Sequence, residues 1–265
     1  MGINNRLHFS LKDKKGVFKL EILNNKVFLF GLVLKIVLSF LFAGKYLKDA
    51  FIPFVSYFFD SGFSNSYEFF YNSGASDAFP YPPLMLYFLG FLGGFASNLS
   101  PFFIRIPMLL ADIGILLVLS RLLRGKATKI LKYYWWSPVL IYITYIHGQL
   151  DVVPIMFLLA SSYFLFKKKN IISALVLGLG ITAKTNLVLV IPFYVLYIWK
   201  NNNEKKLAKL VAPAVVTFMV VLILNLPYIN SEAFIKMVYA NSEQSKVWNA
   251  GFPMIGTLKY YIIPA

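Results

Sequence analysis

Residues Val27 to Ala43 carry one charge, Lys35, and six further apolar runs follow, near 103–123, 133–148, 151–167, 170–185, 187–199 and 207–228. Runs approaching about 20 residues are long enough to cross hydrocarbon. Lipid offers the backbone no hydrogen-bond partner, so repeated runs of this kind must close their hydrogen bonds internally, and the weak alternation of a barrel is absent. The expected fold class is an all-α integral membrane bundle of about seven transmembrane helices.

Composition excludes the main alternatives. Hydrophobic residues make up 58%, charged residues 14%, and mean hydropathy is +0.67, outside the range of soluble domains. Cysteine is absent, which removes disulfides, thiol catalysis and zinc-thiolate sites, and His8 and His147 are the only imidazoles. The formal charge of +15 does not form a basic stripe for nucleic acid. Eighteen of the 26 basic residues fall in four short clusters: before the first span, at Arg121 to Lys132, at Lys167 to Lys169, and at Lys200 to Lys209. Such spacing fits the positive-inside rule.

With every cluster cytoplasmic, the spans alternate, and the segments around His147 to Asp151, Lys184 and 229–250 face outward. Residues 1–26 are polar and basic and read as a cytoplasmic tail with no cleavable signal. Residues 27–228 form the transmembrane module. Within it, 44–102 is a first external loop, where Pro82 to Gly94 is expected to be a re-entrant or membrane-surface helix. Residues 229–265 are expected to be an external loop and, from Gly251 to Ala265, the start of a helix that a longer form would complete. The loop 44–102 holds Asp49, Asp60, Glu68 and Asp77 among many aromatic residues, as at a membrane interface.

Ionisable groups inside spans are costly, roughly 2.5–3.5 kcal/mol each at the centre on insertion scales, so each needs a reason. Lys35 and Asp112 are expected to offset one another as a buried structural pair. Arg105 lies two turns from Asp112 on the same helix face, nearer the outside. It reads either as a bidentate phosphate clamp or as an interfacial anchor for any lipid headgroup. Lys184, among Thr182, Thr185 and Asn186, offers a second cation where two spans meet outside. His147-Gly148-Gln149-Leu150-Asp151 is a compact polar turn, either structural or part of a site. As a metal site it lacks further ligands, so no metal and no cofactor is expected. Walker, dinucleotide, HExxH and nucleophile-elbow motifs are absent.

Taken in order, Asp49, Tyr57, Asp60-Ser61-Gly62-Phe63-Ser64-Asn65-Ser66-Tyr67 and Phe79-Pro80-Tyr81-Pro82-Pro83-Leu84 resemble the first outer loop of GT-C glycosyltransferases. Arg105-Ile106-Pro107 with Asp112, Trp136-Ser137-Pro138, His147 to Asp151 and Ala183-Lys184-Thr185 follow in the order seen in mannosyltransferase-like members. The resemblance covers residues 27–228. It implies a seven-helix module, a polyprenyl-phosphate sugar donor, and an acceptor, not identified by the resemblance, on the external face of a cell membrane. By carry-over, Asp49 corresponds to the loop carboxylate that acts as general base. Arg105 and Lys184 sit where donor-phosphate contacts are useful, and Tyr81, His147, Gln149 and Asp151 would support the site. Family members are usually longer, and the near-adjacent acidic pair that some relatives carry is missing. The competing readings are a transporter or flippase for a lipid-linked sugar, and a catalytically silent subunit of a membrane complex. An obvious duplicated half, common among transporters, is absent.

The cysteine-free background makes topology directly testable. Single cysteines at Ser64, Ser97 or Asn230 should react with an impermeant thiol reagent from outside, and those at Ala127, Asn170 or Asn202 should not. Labelling of Ser97 only after permeabilisation would make 82–97 a true crossing.

Overall fold

The structure, a computed structural model, describes residues 22–90, 101–123, 126–201 and 206–241. The expected tail up to residue 21, Ser97, the end of the expected re-entrant stretch beyond Gly90, and Gly251 to Ala265 lie outside the described residues. Among those described, every regular element is helical and no strand occurs.

All seven apolar runs contain helix, but by length and apolarity two helices suffice to cross a membrane: Pro101–Leu122 and Leu207–Tyr228. The first run is α1 (Lys26–Leu41), started by the Asn25 side chain accepting from the Val27 amide at 2.8 Å. The run 133–148 is not one helix. Ser137 is extended, caps Leu140 and precedes Pro138. Proline disfavours helical backbone in the residue before it and suits a first helical turn, so the chain stops and restarts here. Consequently α6 (Ala127–Ile130) widens into a π-turn, Leu131–Trp135, and α7 (Pro138–Ile141) widens into another, Tyr142–His147. Between α1 and α6, in order, come α2 (Ile52–Asp60), entered through a π-turn at Leu47–Phe51, α3 (Ser66–Asn72), α4 (Pro83–Gly90) and α5 (Pro101–Leu122). α8 (Val152–Phe166) and α9 (Asn170–Ala183) follow the second π-turn. An extended Lys184 and a 3-10 turn, Thr185–Val190, then delay α10 (Ile191–Asn201), and α11 (Lys206–Asn225) closes the bundle.

α5 packs on α8, α8 on α9, and α9 on α11. The α8–α9 seam carries a reciprocal serine clasp in which Ser161 donates to the Ser173 carbonyl at 2.7 Å and Ser173 to the Ser161 carbonyl at 2.9 Å. Small hydroxyl residues suit helices that associate in lipid. α11 is almost entirely unburied, exposing Leu207, Val211, Val215, Phe218, Met219 and Ile223. A helix apolar on its exposed faces is matched by lipid and not by water.

α1 buries a stripe of Phe28, Gly31, Lys35 and Ser39, spaced three and four apart. Lys35, 1% exposed, meets Asp112 of α5, 5% exposed, at 2.7 Å. Trp135 donates its indole N–H to the Phe28 carbonyl at 3.2 Å and places its ring 3.4 Å from the Lys35 ammonium. Tyr134 and Tyr145 donate their hydroxyls to the two Asp112 oxygens. The pair therefore binds α1, α5 and both halves of the broken 127–147 segment, as the sequence leads one to expect for Lys35 and Asp112.

Over one end of this bundle lies an aromatic cap. Phe54 stacks on Phe79 with centroids 4.6 Å apart, and Tyr67, fully buried, donates to the Tyr81 carbonyl at 2.8 Å while meeting Tyr228 and Phe234 edge-on. The segment after α11, with α12 (Glu232–Phe234) and the π-turn Ile235–Tyr239, thus packs on the segment 44–90. Those two regions lie on one side of the bundle.

Lys35→Met or Asp112→Asn should each lower stability by about 3–5 kcal/mol, because each strands a buried partner. The double variant should cost less than the sum of the singles. Thermal unfolding in detergent checks both statements, and strict additivity would show that the two charges do not interact.

Candidate functional site

The cap and bundle meet at the His147 to Asp151 turn. Gly148 ends the preceding π-turn in the left-handed region (φ 87°, ψ 29°), where a side chain is strained. Space is not the constraint: a Cβ there would make ordinary contact, 3.4 Å from the Leu47 side chain and 3.6 Å from Arg105 Nη2. One strand of contacts runs from the other side, because Gly44 approaches the His147 carbonyl so closely that any Cβ would overlap it. The chain leaving α1 is thereby seated on this turn.

That seating fixes Asp49. It belongs to the π-turn Leu47–Phe51, whose buried residues are Leu47, against Gly148, and Phe51, whose ring meets Tyr81 edge-on at 5.7 Å. Asp49 is on the exposed side, and among the described residues its carboxylate has no hydrogen-bond or ion-pair partner. Leu47 and Phe51, and not Asp49, make this turn's contacts with Gly148 and Tyr81.

Arg105 is 1% exposed. Its Nη1 donates to the Tyr145 carbonyl and lies 3.5 Å from the Leu38 carbonyl, whereas its buried Nε and Nη2 have no partner among the described residues. A buried cation with two empty donor nitrogens is costly, and an anion would satisfy it. Lys184 is different. Its ammonium pairs with the Asp151 carboxylate, the two side chains being 32% and 36% exposed. Burial holds the Tyr81 phenol above its usual range, and the neighbouring Asp151 charge adds to that shift. Tyr81, Asp151 and Lys184 therefore form a second polar group beside Gly148.

The structure thus brings Tyr81, Arg105, Asp151 and Lys184 around the turn, while Asp49 is exposed on the neighbouring Leu47–Phe51 turn. Gln149 is half-buried within it, its backbone amide donating to the Ile143 carbonyl at 3.0 Å. His147 is the outlier: its imidazole is exposed and parallel to the Tyr142 ring, with no hydrogen bond among the described residues. Asp60 and Glu68 are exposed on the cap, away from this turn in sequence and on other helices. Among the described residues no cluster of three or more metal-ligating side chains occurs. Sequence reasoning missed Tyr134 and Tyr145. Their hydroxyls are hidden in an apolar run, and the break at Trp136 to Pro138 destroys the helical spacing that would have shown them sharing Asp112.

Gly148→Ala should lower stability by about 1–2 kcal/mol, the cost of left-handed backbone for an L-residue. An unchanged unfolding temperature would mean that the turn rearranges freely.

A sequence profile of glycosyltransferase family 87 matches residues 79–259, a span holding Tyr81, Arg105, Asp112, the His147 to Asp151 turn and Lys184, while Asp49 precedes it. No curated protein and no solved structure shows significant similarity. Because that profile covers more than half of the chain, and because apolar helices surround the polar turn, the protein belongs to glycosyltransferase family 87, a GT-C-type, mannosyltransferase-like family of membrane glycosyltransferases.

Proposed function

We propose that this protein moves a hexose, of the mannose class, from a polyprenyl-phosphate donor to an acceptor on the external face of the cell membrane. The chain crosses seven times in this reading, with its N-terminus cytoplasmic and residues 44–102 and the 229–241 segment outside. Shorter helices such as α8 and α9 then span with the help of the turns that flank them. The observation that carries the reading is Arg105: a buried guanidinium beside the polar turn whose Nε and Nη2 have no partner among the described residues. A fork of unsatisfied N–H groups matches phosphate oxygens.

An apolar cavity of about 280 Å³ supports a lipid-linked donor. It lies between α9, α10 and α11, lined by Leu177, Ile181, Val188, Ile191 and Phe218 among others, and Ile181 and Val188 flank Lys184 in sequence. A hydrocarbon tail housed there would hold its phosphate near the Lys184 end of the bundle.

In the reaction, the acceptor hydroxyl is a poor nucleophile, and Asp49 removes its proton as the oxygen attacks the anomeric carbon. The bond from that carbon to the phosphate oxygen breaks, and the polyprenyl phosphate leaves with the electron pair. Charge grows on the phosphate, where Arg105 stabilises it. One displacement inverts the anomeric centre. Lys184, already paired with Asp151, contributes less charge to the phosphate than Arg105 does, and with Tyr81 and Gln149 the pair lines the approach to the sugar. His147 serves this site through its backbone.

Asp49→Asn should reduce transfer from a radiolabelled polyprenyl-phosphate mannose by ~10²–10⁴-fold, the range for losing a general base, with folding intact. Asp60→Asn should cost far less. Near-normal transfer by Asp49→Asn in an active preparation would remove the assignment, and a large loss at Asp60 would move it there. Arg105→Lys should weaken donor binding by roughly 10–100-fold, since one charge-assisted hydrogen bond contributes about 1.5–3 kcal/mol. Unchanged affinity would reduce Arg105 to an interfacial anchor.

A further inference from the structure

Arg105 and the buried ion pair are joined by one residue. Tyr145 donates its hydroxyl to Asp112 Oδ2 at 2.6 Å, and its backbone carbonyl accepts from Arg105 Nη1. Arg105 and Asp112 stand two turns apart on α5, so Tyr145 touches both with its two ends. Its carbonyl is available because the π-turn Tyr142–His147 ends early: the Gly148 and Gln149 amides both donate to Ile143, leaving Tyr145 outside that pattern. The second acceptor near Nη1, the Leu38 carbonyl, is three residues beyond Lys35 on α1. Both carbonyls that hold the guanidinium therefore come from segments whose placement the Lys35–Asp112 pair sets.

We propose that Lys35, Asp112 and Tyr145 are positioning residues that aim the free Nε and Nη2 of Arg105, with the Tyr145 hydroxyl as the coupling element. This rests on the reading of Arg105 as a phosphate contact. Fixing Nη1 against a carbonyl restricts rotation of the planar guanidinium, so its two remaining nitrogens present a prepared fork instead of an array of rotamers. Loss of the Tyr145 hydroxyl would let the ring and its backbone shift, and the fork would lose its orientation although the cation remained.

Tyr134 supplies an internal control. Its hydroxyl donates to Asp112 Oδ1, the other oxygen of the same carboxylate, and lies 3.5 Å from the Asp112 backbone carbonyl; among the described residues it makes no hydrogen bond to Arg105. Removing either hydroxyl takes one hydrogen bond from the same buried acid. A purely structural network predicts the same consequence for both variants.

The test measures binding of farnesyl monophosphate to the full chain in detergent, by tryptophan fluorescence, together with the unfolding temperature. Tyr134→Phe and Tyr145→Phe should lower the unfolding temperature similarly. Tyr145→Phe should weaken binding about tenfold, within the range for coupled neighbours, and Tyr134→Phe less than twofold. In an Arg105→Gln background, Tyr145→Phe should have no further effect on binding. Equal binding losses for the two tyrosine variants, or an undiminished effect of Tyr145→Phe without Arg105, would overturn the positioning role. Wild-type affinity in Arg105→Gln, or no binding by the wild type, would instead overturn the phosphate reading, and the positioning role with it.

Discussion

The Lys35–Asp112 pair is the interaction around which the bundle is arranged. Two ions in an apolar interior are tolerated only when each is matched and its remaining hydrogen-bonding capacity is filled. Here the carboxylate receives Lys35 and two tyrosine hydroxyls, and the ammonium lies over the Trp135 ring. Four separate pieces of chain must be correctly placed for that arrangement to exist: α1, α5 and the two halves of the segment broken at Ser137. Apolar packing alone is permissive, since lipid is as apolar as a leucine side chain and gives helices little reason to choose one neighbour. A polar cluster with one satisfied geometry is selective.

Charge is treated in two ways within a short distance. At Asp112 every oxygen is occupied, so the centre is closed. Around Gly148 the polar groups are incompletely matched: among the described residues Nε and Nη2 of Arg105 have no partner, and Lys184 shares Asp151 at partial exposure. The first arrangement suits structure and the second suits a ligand. Tyr145 belongs to both, which is why a residue that resembles ordinary core packing connects the fold to the site.

The aromatic cap gives the site its other wall. Phe51, Phe54, Tyr67, Phe79, Tyr81 and Phe234 pack edge-on or stacked, geometries that aromatic rings favour. Tyr67 ties this core to the Tyr81 backbone. On the cap's outer face, Glu232 and Lys236 pair at 2.6 Å, and the lysine draws the glutamate below its usual range through a hydrogen bond and its charge. The Leu47–Phe51 turn carrying Asp49 is thereby held between this aromatic core and the Gly148 turn.

Much of this protein was already determined by its sequence. Apolar runs in excess of any soluble core required helices in a membrane, because no other structure hides the backbone from lipid. The cost of isolated charge in such runs singled out Lys35 with Asp112, and the motif order pointed to a glycosyltransferase. Only the tertiary structure separated two cations that looked equivalent as single residues: Asp151 pairs with Lys184, while among the described residues Nε and Nη2 of Arg105 have no partner. Tertiary structure also decided that Tyr134 and Tyr145 converge on Asp112 and that the imidazole of His147 faces outward. Hydropathy is a property of consecutive residues and survives in a sequence. The matching of one polar group by another depends on contacts between distant segments, here 77 residues apart for Lys35 and Asp112, which no local pattern records.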